Sequence, residues 1–178
     1  MSTPSKKSFI DTIIHGVLVL SALAIGGGFL LILFSDQLPL QDFFGSGKLE
    51  AINFETLEFE PGENHFLACP ADYCLAATPD EVTQVYPVTV TTLRNRLLEF
   101  VDKLLRVDIK TMDIPNLQFD FLVYQGTNPF PDVVTVKLYD LGGSRSSVAI
   151  YSRTLKGEND KGANKARVMR WLRALEVD

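Results

Sequence analysis

From position 12 to 35 the chain reads TIIHGVLVLSALAIGGGFLLILFS, without a charged residue and with fourteen Leu, Ile, Val or Phe. As a helix this run reaches roughly 36 Å, slightly more than the roughly 30 Å hydrocarbon core of a bilayer, so the pattern predicts one tilted transmembrane crossing. Each large apolar side chain favours insertion by about 0.3 to 0.6 kcal/mol near the helix centre, which outweighs the few Gly, Ser and Thr and the single His15. A cleaved signal peptide has a shorter apolar region, and LFSDQLPL offers no small-x-small cleavage site. No Cys follows closely enough for a lipoprotein anchor.

Beyond the run the pattern changes. Residues 1–11 form a polar tail, and residues 36–48, with Pro39 and Gly45-Ser46-Gly47, read as a linker that Leu38, Leu40, Phe43 and Phe44 can hold at a lipid surface. Leu49 to Glu60 contains the alternations Ile52/Phe54 and Leu57/Phe59 and is predicted to be a strand ended by Pro61-Gly62. Thr89 to Arg106 has helical spacing, with Leu93, Leu97, Phe100, Val101, Leu104 and Leu105 on one side. Val107–Ile114, Leu117–Tyr124, Val133–Asp140 and Ser146–Ser152 have strand length and β-type residues, separated by turn signals too short for helical crossovers. A final helix begins near Lys161, with Val168, Leu172, Leu175 and Trp171 at helical spacing. Asn159 or Asp160 can cap it, and Gly162 weakens its start. The expectation is an α+β chain: one N-terminal transmembrane helix, then a small domain over 49–178 with an antiparallel sheet packed against two helices.

Charge orients this arrangement. Lys6 and Lys7 precede the run, whereas Asp36 and Asp42 follow it with no base until Lys48. By the positive-inside rule the N-terminus is cytoplasmic and the domain lies outside, in a bacterium the periplasm. The formal net charge of -5 argues against a nucleic-acid partner. Glu50, Glu55, Glu58, Glu60 and Glu63 come without a base among them, whereas Arg153 to Arg173 holds seven bases against Glu158 and Asp160. Two solvated faces, partly neutralising each other, account for this as well as a binding surface does. Within the apolar run, Ala22 and Gly26, and Ala24 and Gly28, form small faces against which a partner's helix can pack. Gly and Ala are also simply common in membrane helices. His15 either reaches the interface or serves a partner as ligand or proton carrier.

The two cysteines, Cys69 and Cys74, lie five apart around a Pro-containing turn on the oxidising side, which favours a local disulfide worth roughly 2 kcal/mol. The rival is a metal site with His65 and Asp72, although H-x3-C-x4-C matches no strong zinc pattern.

Ser152-Arg153, Gly157, Asp160, Gly162, Asn164 and Arg167-Val168 in one frame resemble the signature S-R…G-x-x-D-x-G-x-N-x-x-R-V of an uncharacterised family, catalogued as domain of unknown function 1499. The C-P…C around Cys69 is similar to its second landmark, although Cys69-Pro70-Ala71-Asp72-Tyr73-Cys74 lacks the usual Pro-Asn. The resemblance covers about Phe66 to Leu175. It implies a membrane-anchored or exported domain and no particular activity.

Two readings fit the signature. In one, Asp160 caps the helix, Asn164 ties the turn and both arginines hold the strand-helix junction by pairing with carboxylates such as Asp160. In the other, Arg153 and Arg167 converge on a phosphate or carboxylate. Catalysis has less behind it: His65 is the only histidine beyond the apolar run, and no G-x-S-x-G, H-E-x-x-H or phosphate loop is present. The functional expectation is therefore a non-enzymatic, cofactor-free, membrane-anchored periplasmic interaction protein. It would be an accessory subunit contacting the bilayer and a membrane-protein partner. The alternative is a lipid- or small-anion-binding module, and an enzyme of unknown type comes third.

Overall fold

A computed structural model describes residues 49–59, 64–126, 130–156 and 160–176, together with Val17 and Ser21. The chain divides into two units, Met1–Leu49 and Glu50–Asp178. In the first unit Val17 and Ser21 are helical, and the Ser21 hydroxyl donates to the Val17 carbonyl at 2.8 Å. Among the described residues no helix is long and apolar enough to cross a membrane. The transmembrane helix expected over 12–35 is thus not supported; apart from Val17 and Ser21, that run lies outside the described residues. So do His15, the small residues Ala22, Ala24, Gly26 and Gly28, and the linker 36–48.

The second unit is ordered β1 (His65–Cys69), β2 (Glu81–Val82), α1 (Val90–Asp102), β3 (Val107–Asp113), β4 (Gln118–Val123), β5 (Asp132–Gly142), β6 (Arg145–Thr154) and α2 (Ala163–Leu175). One six-stranded sheet runs β2-β1-β6-β5-β4-β3. From β3 to β6 it is the expected antiparallel meander, but β2 pairs parallel with β1, so the sheet is mixed rather than antiparallel. Parallel neighbours need a crossover of about ten residues or more, and the loop 70–80 supplies it.

Side-chain alternation splits the sheet into two faces. On one, Phe66, Phe119, Phe121, Val134, Val136, Val148 and Ile150 meet α1 through Leu93, Leu97 and Val101, and α2 through Val168, Trp171 and Leu175. α2 lies over β1 and β6, and α1 over β5 and β6. On the other face Leu67, Cys69, Ala149 and Tyr151 are covered by Phe54, Leu57 and the Cys69–Cys74 disulfide loop. Strand β1 is therefore apolar on both sides, a continuous run without the alternation that marks a half-exposed strand.

The expected strand over 49–60 is absent among the described residues. Asn53 makes a turn there instead, its side chain accepting from Glu55 N at 3.0 Å and its carbonyl from Thr56 N at 3.3 Å. Local Asn chemistry overrides the alternation and lets Phe54 and Leu57 point together at the sheet. Helix α1 begins on Thr89, whose hydroxyl accepts from Thr92 N at 3.2 Å, and it ends before Leu105. Leu105, expected on its apolar side, is fully exposed.

Burial pushes the hydroxyls of Tyr86, on the helix side, and Tyr139, on the other, up to about 12. Both ionise near pH 10 in an unfolded chain, so the stability that they contribute is complete below about pH 10 and is lost as pH rises through 12. An ultraviolet titration of the folded chain should show these two phenolates appearing last; all five tyrosines ionising together near pH 10 would contradict the packing.

Candidate functional site

The polar signature residues lie where the start of α2 meets the ends of β5 and β6. The chain enters α2 through Gly162, whose φ of +77° is a left-handed conformation open to glycine at little cost, so Gly162 permits the helix start rather than weakening it. Gly162 has no side chain with which to cap. Asp160 does the work from two residues earlier, accepting from Gly162 N at 3.0 Å with Oδ1 and from Asn164 N at 2.7 Å with Oδ2. Asn159 lies outside the described residues.

One turn into the helix, Arg167 points back at the sheet. Its Nη1 donates to Ser152 Oγ and Asn164 Oδ1, both at 2.6 Å, and its Nη2 meets Asp132 Oδ2 at 2.5 Å. The side chains of this ion pair are only 6% and 7% exposed. Asp132 is satisfied further by Thr154 Oγ1 at 2.7 Å and by Gln125 Nε2. Asn164, fully buried, accepts from Ser152 Oγ at 2.7 Å and donates to Thr154 Oγ1 at 3.2 Å and to the Asn64 carbonyl at 3.1 Å. The result is a closed network joining α2, β5, β6 and the residue before β1, and among the described residues none of its buried side-chain polar atoms is left without a hydrogen-bond partner.

Arg153 is not part of it. It neighbours Ser152 on β6, so alternation sends it to the opposite face, where Nη1 donates to Thr135 Oγ1 at 3.1 Å. Thr135 in turn donates to Asp120 Oδ1 at 2.7 Å. The Arg153 guanidinium lies 5.1 Å from the Tyr151 ring centroid. Burial holds Arg153 below its ordinary value, with Tyr151 and Asp120 working the other way. Asp160, Asn164 and Arg167 are thus brought together, Arg153 stands apart, and the two arginines cannot converge on one anion. Arg167 pairs with Asp132, not with Asp160.

Asp132 escaped sequence reading, although a signal was there. It opens a strand in which Val134 and Val136 share its face, so a carboxylate at that position had to be buried and to need a cation. Cys69 and Cys74 form a disulfide with Cα atoms 6.3 Å apart. His65 packs against Phe59 at 4.3 Å between ring centroids, and among the described residues no group of three or more His, Cys, Asp or Glu is arranged to hold a metal. No protein-family model matches this chain, and no curated protein matches it either.

The cap can be tested separately from the ion pair. Asp160→Ala removes both acceptors for two backbone N–H groups and should lower stability by about 1 to 2 kcal/mol in thermal melts, whereas Asp160→Asn keeps one acceptor oxygen of the two and should lose less. Unchanged stability in Asp160→Ala would contradict the capping role.

Proposed function

We propose that this chain is a membrane-anchored interaction protein without catalytic activity, an accessory subunit on the periplasmic side of a bacterial inner membrane. Two features of the sequence support the location: the uncharged run 12–35, and Lys6 and Lys7 before it with Asp36 and Asp42 after it. Membership of the family that the 152–168 signature resembles belongs to the same proposal and adds no activity.

The observation that carries the interaction reading is the open edge of the sheet. Among the described residues strand β3 has a neighbour on one side only. Ile109 and Met112 stand opposite Phe121 and Phe119 on the helix face, yet remain 50% and 45% exposed. Tyr124 N donates to the Arg106 carbonyl, so by antiparallel alternation the N–H and C=O of Val107 and Ile109 point outward. Asp108, Lys110 and the irregularity between Ile109 and Thr111 guard the edge against indiscriminate pairing. An extended segment of a partner membrane protein, with apolar side chains on the helix side, would add a seventh strand and cover Ile109 and Met112.

Affinity purification of the full chain in mild detergent tests this. A stoichiometric membrane-protein partner should be retained by wild type and lost by Ile109→Glu and by Met112→Glu, with melting shifted by less than about 1 kcal/mol because both sites are half-exposed. A partner that survives both changes, or none in stoichiometric amount, would contradict the proposal.

A further inference from the structure

A cleft of about 540 Å³ opens where the end of α1 and the start of β3 meet the first turns of α2, a size typical of ligand pockets. In a chain with a net charge of -5, its lining holds four cations and no carboxylate. Two of the four are committed: Arg167 to Asp132, and Lys103 to Glu99 at 2.9 Å. The others, Arg106 and Arg170, are exposed and have no carboxylate within ion-pair distance among the described residues. Asp108 faces the Tyr124 hydroxyl on the cleft wall. Tyr124 and Gln125 add polar atoms, Gln125 being held by Asp132, and the remaining wall is aliphatic, with Leu104, Val107, Val123 and the fully exposed Leu105.

Free guanidiniums next to water-exposed aliphatic surface match a ligand that is anionic at one end and hydrocarbon at the other. A free phosphate would satisfy the arginines and leave Leu105 and Val107 in water. A zwitterionic lipid would bring a cation against Arg106 and Arg170. We propose that this cleft binds an anionic phospholipid, its phosphate held by Arg106 and Arg170 and the first part of an acyl chain lying along Leu105 and Val107. This site goes beyond the partner-binding edge and its chemistry does not depend on it. A bilayer as the source does rest on the reading of 12–35 as an anchor, since residues 36–48 reach at most roughly 45 Å.

Native mass spectrometry of the full chain in an uncharged detergent tests the proposal, titrating lysophosphatidylglycerol, lysophosphatidylcholine of the same chain length, and inorganic phosphate. The glycerol lipid should bind at least about tenfold more tightly than the choline lipid, a difference of about 1.4 kcal/mol. Arg106→Gln and Arg170→Gln should each weaken it several-fold, and together they should abolish the preference. Leu105→Ser should weaken both lipids alike. Because 12–35 is unchanged in every variant, general lipid association cannot mimic this pattern. A preference that survives the double change, or equal binding of the two lipids, would overturn the site. Inorganic phosphate binding as tightly as the glycerol lipid would overturn its assignment to a lipid.

Discussion

Asp132 and Arg167 carry opposite charges out of water into the seam between helix and sheet, and the placement of α2 depends on their meeting there. Removing either ion from water costs several kcal/mol even after relaxation, and mutual attraction offsets this only when geometry is good and the remaining polar atoms are satisfied. Both conditions are met, with Ser152 and Asn164 completing Arg167, and Thr154 and Gln125 completing Asp132. Such a pair tolerates little displacement. Apolar contacts between α2 and the sheet favour burial without specifying rotation or register, whereas the network accepts one position of α2. Asp160, by fixing the first turn, aims Asn164 and Arg167 at β5 and β6.

The sheet separates this network from everything on its other face. Arg153 is one residue from Ser152 in sequence but on the far side, in a chain of contacts through Thr135 to Asp120 and against the ring of Tyr151. The segment 49–59 and the disulfide loop close that face locally. The two surfaces proposed for a partner and a lipid lie away from both: the β3 edge that no other described strand covers, and the cleft where α1, β3 and the start of α2 leave the corner open.

Much of this was legible in the sequence, and each failure has a physical cause. Both helices follow from periodicity, because each buries one side, and the four meander strands follow from β-type residues between short turn signals. Strand β1 was hidden because it is five residues long, shows no alternation and runs straight into the cysteine turn, and β2 because two residues carry no period at all. The parallel pair followed from neither and made the sheet mixed. Alternation over Leu49–Glu60 misled because Asn53 prefers a turn, and Leu105 misled because α1 stops short of it. The signature at 152–168 pointed to the right corner of the fold, but its carboxylate partner lay some 35 residues upstream of Arg167, a separation that only tertiary structure resolves. Two arginines fourteen positions apart, 153 and 167, looked like one site; alternation along β6 makes them two.

The central claim is that the signature is a structural lock on α2, and a double-mutant cycle on Asp132 and Arg167 in the full chain tests it most directly. Equilibrium unfolding should show Arg167→Ala and Asp132→Ala each losing about 3 to 5 kcal/mol, because each leaves an uncompensated buried charge, with the double variant losing little more than either alone. Either single change within about 0.5 kcal/mol of wild type, or losses that simply add in the double variant, would contradict the account.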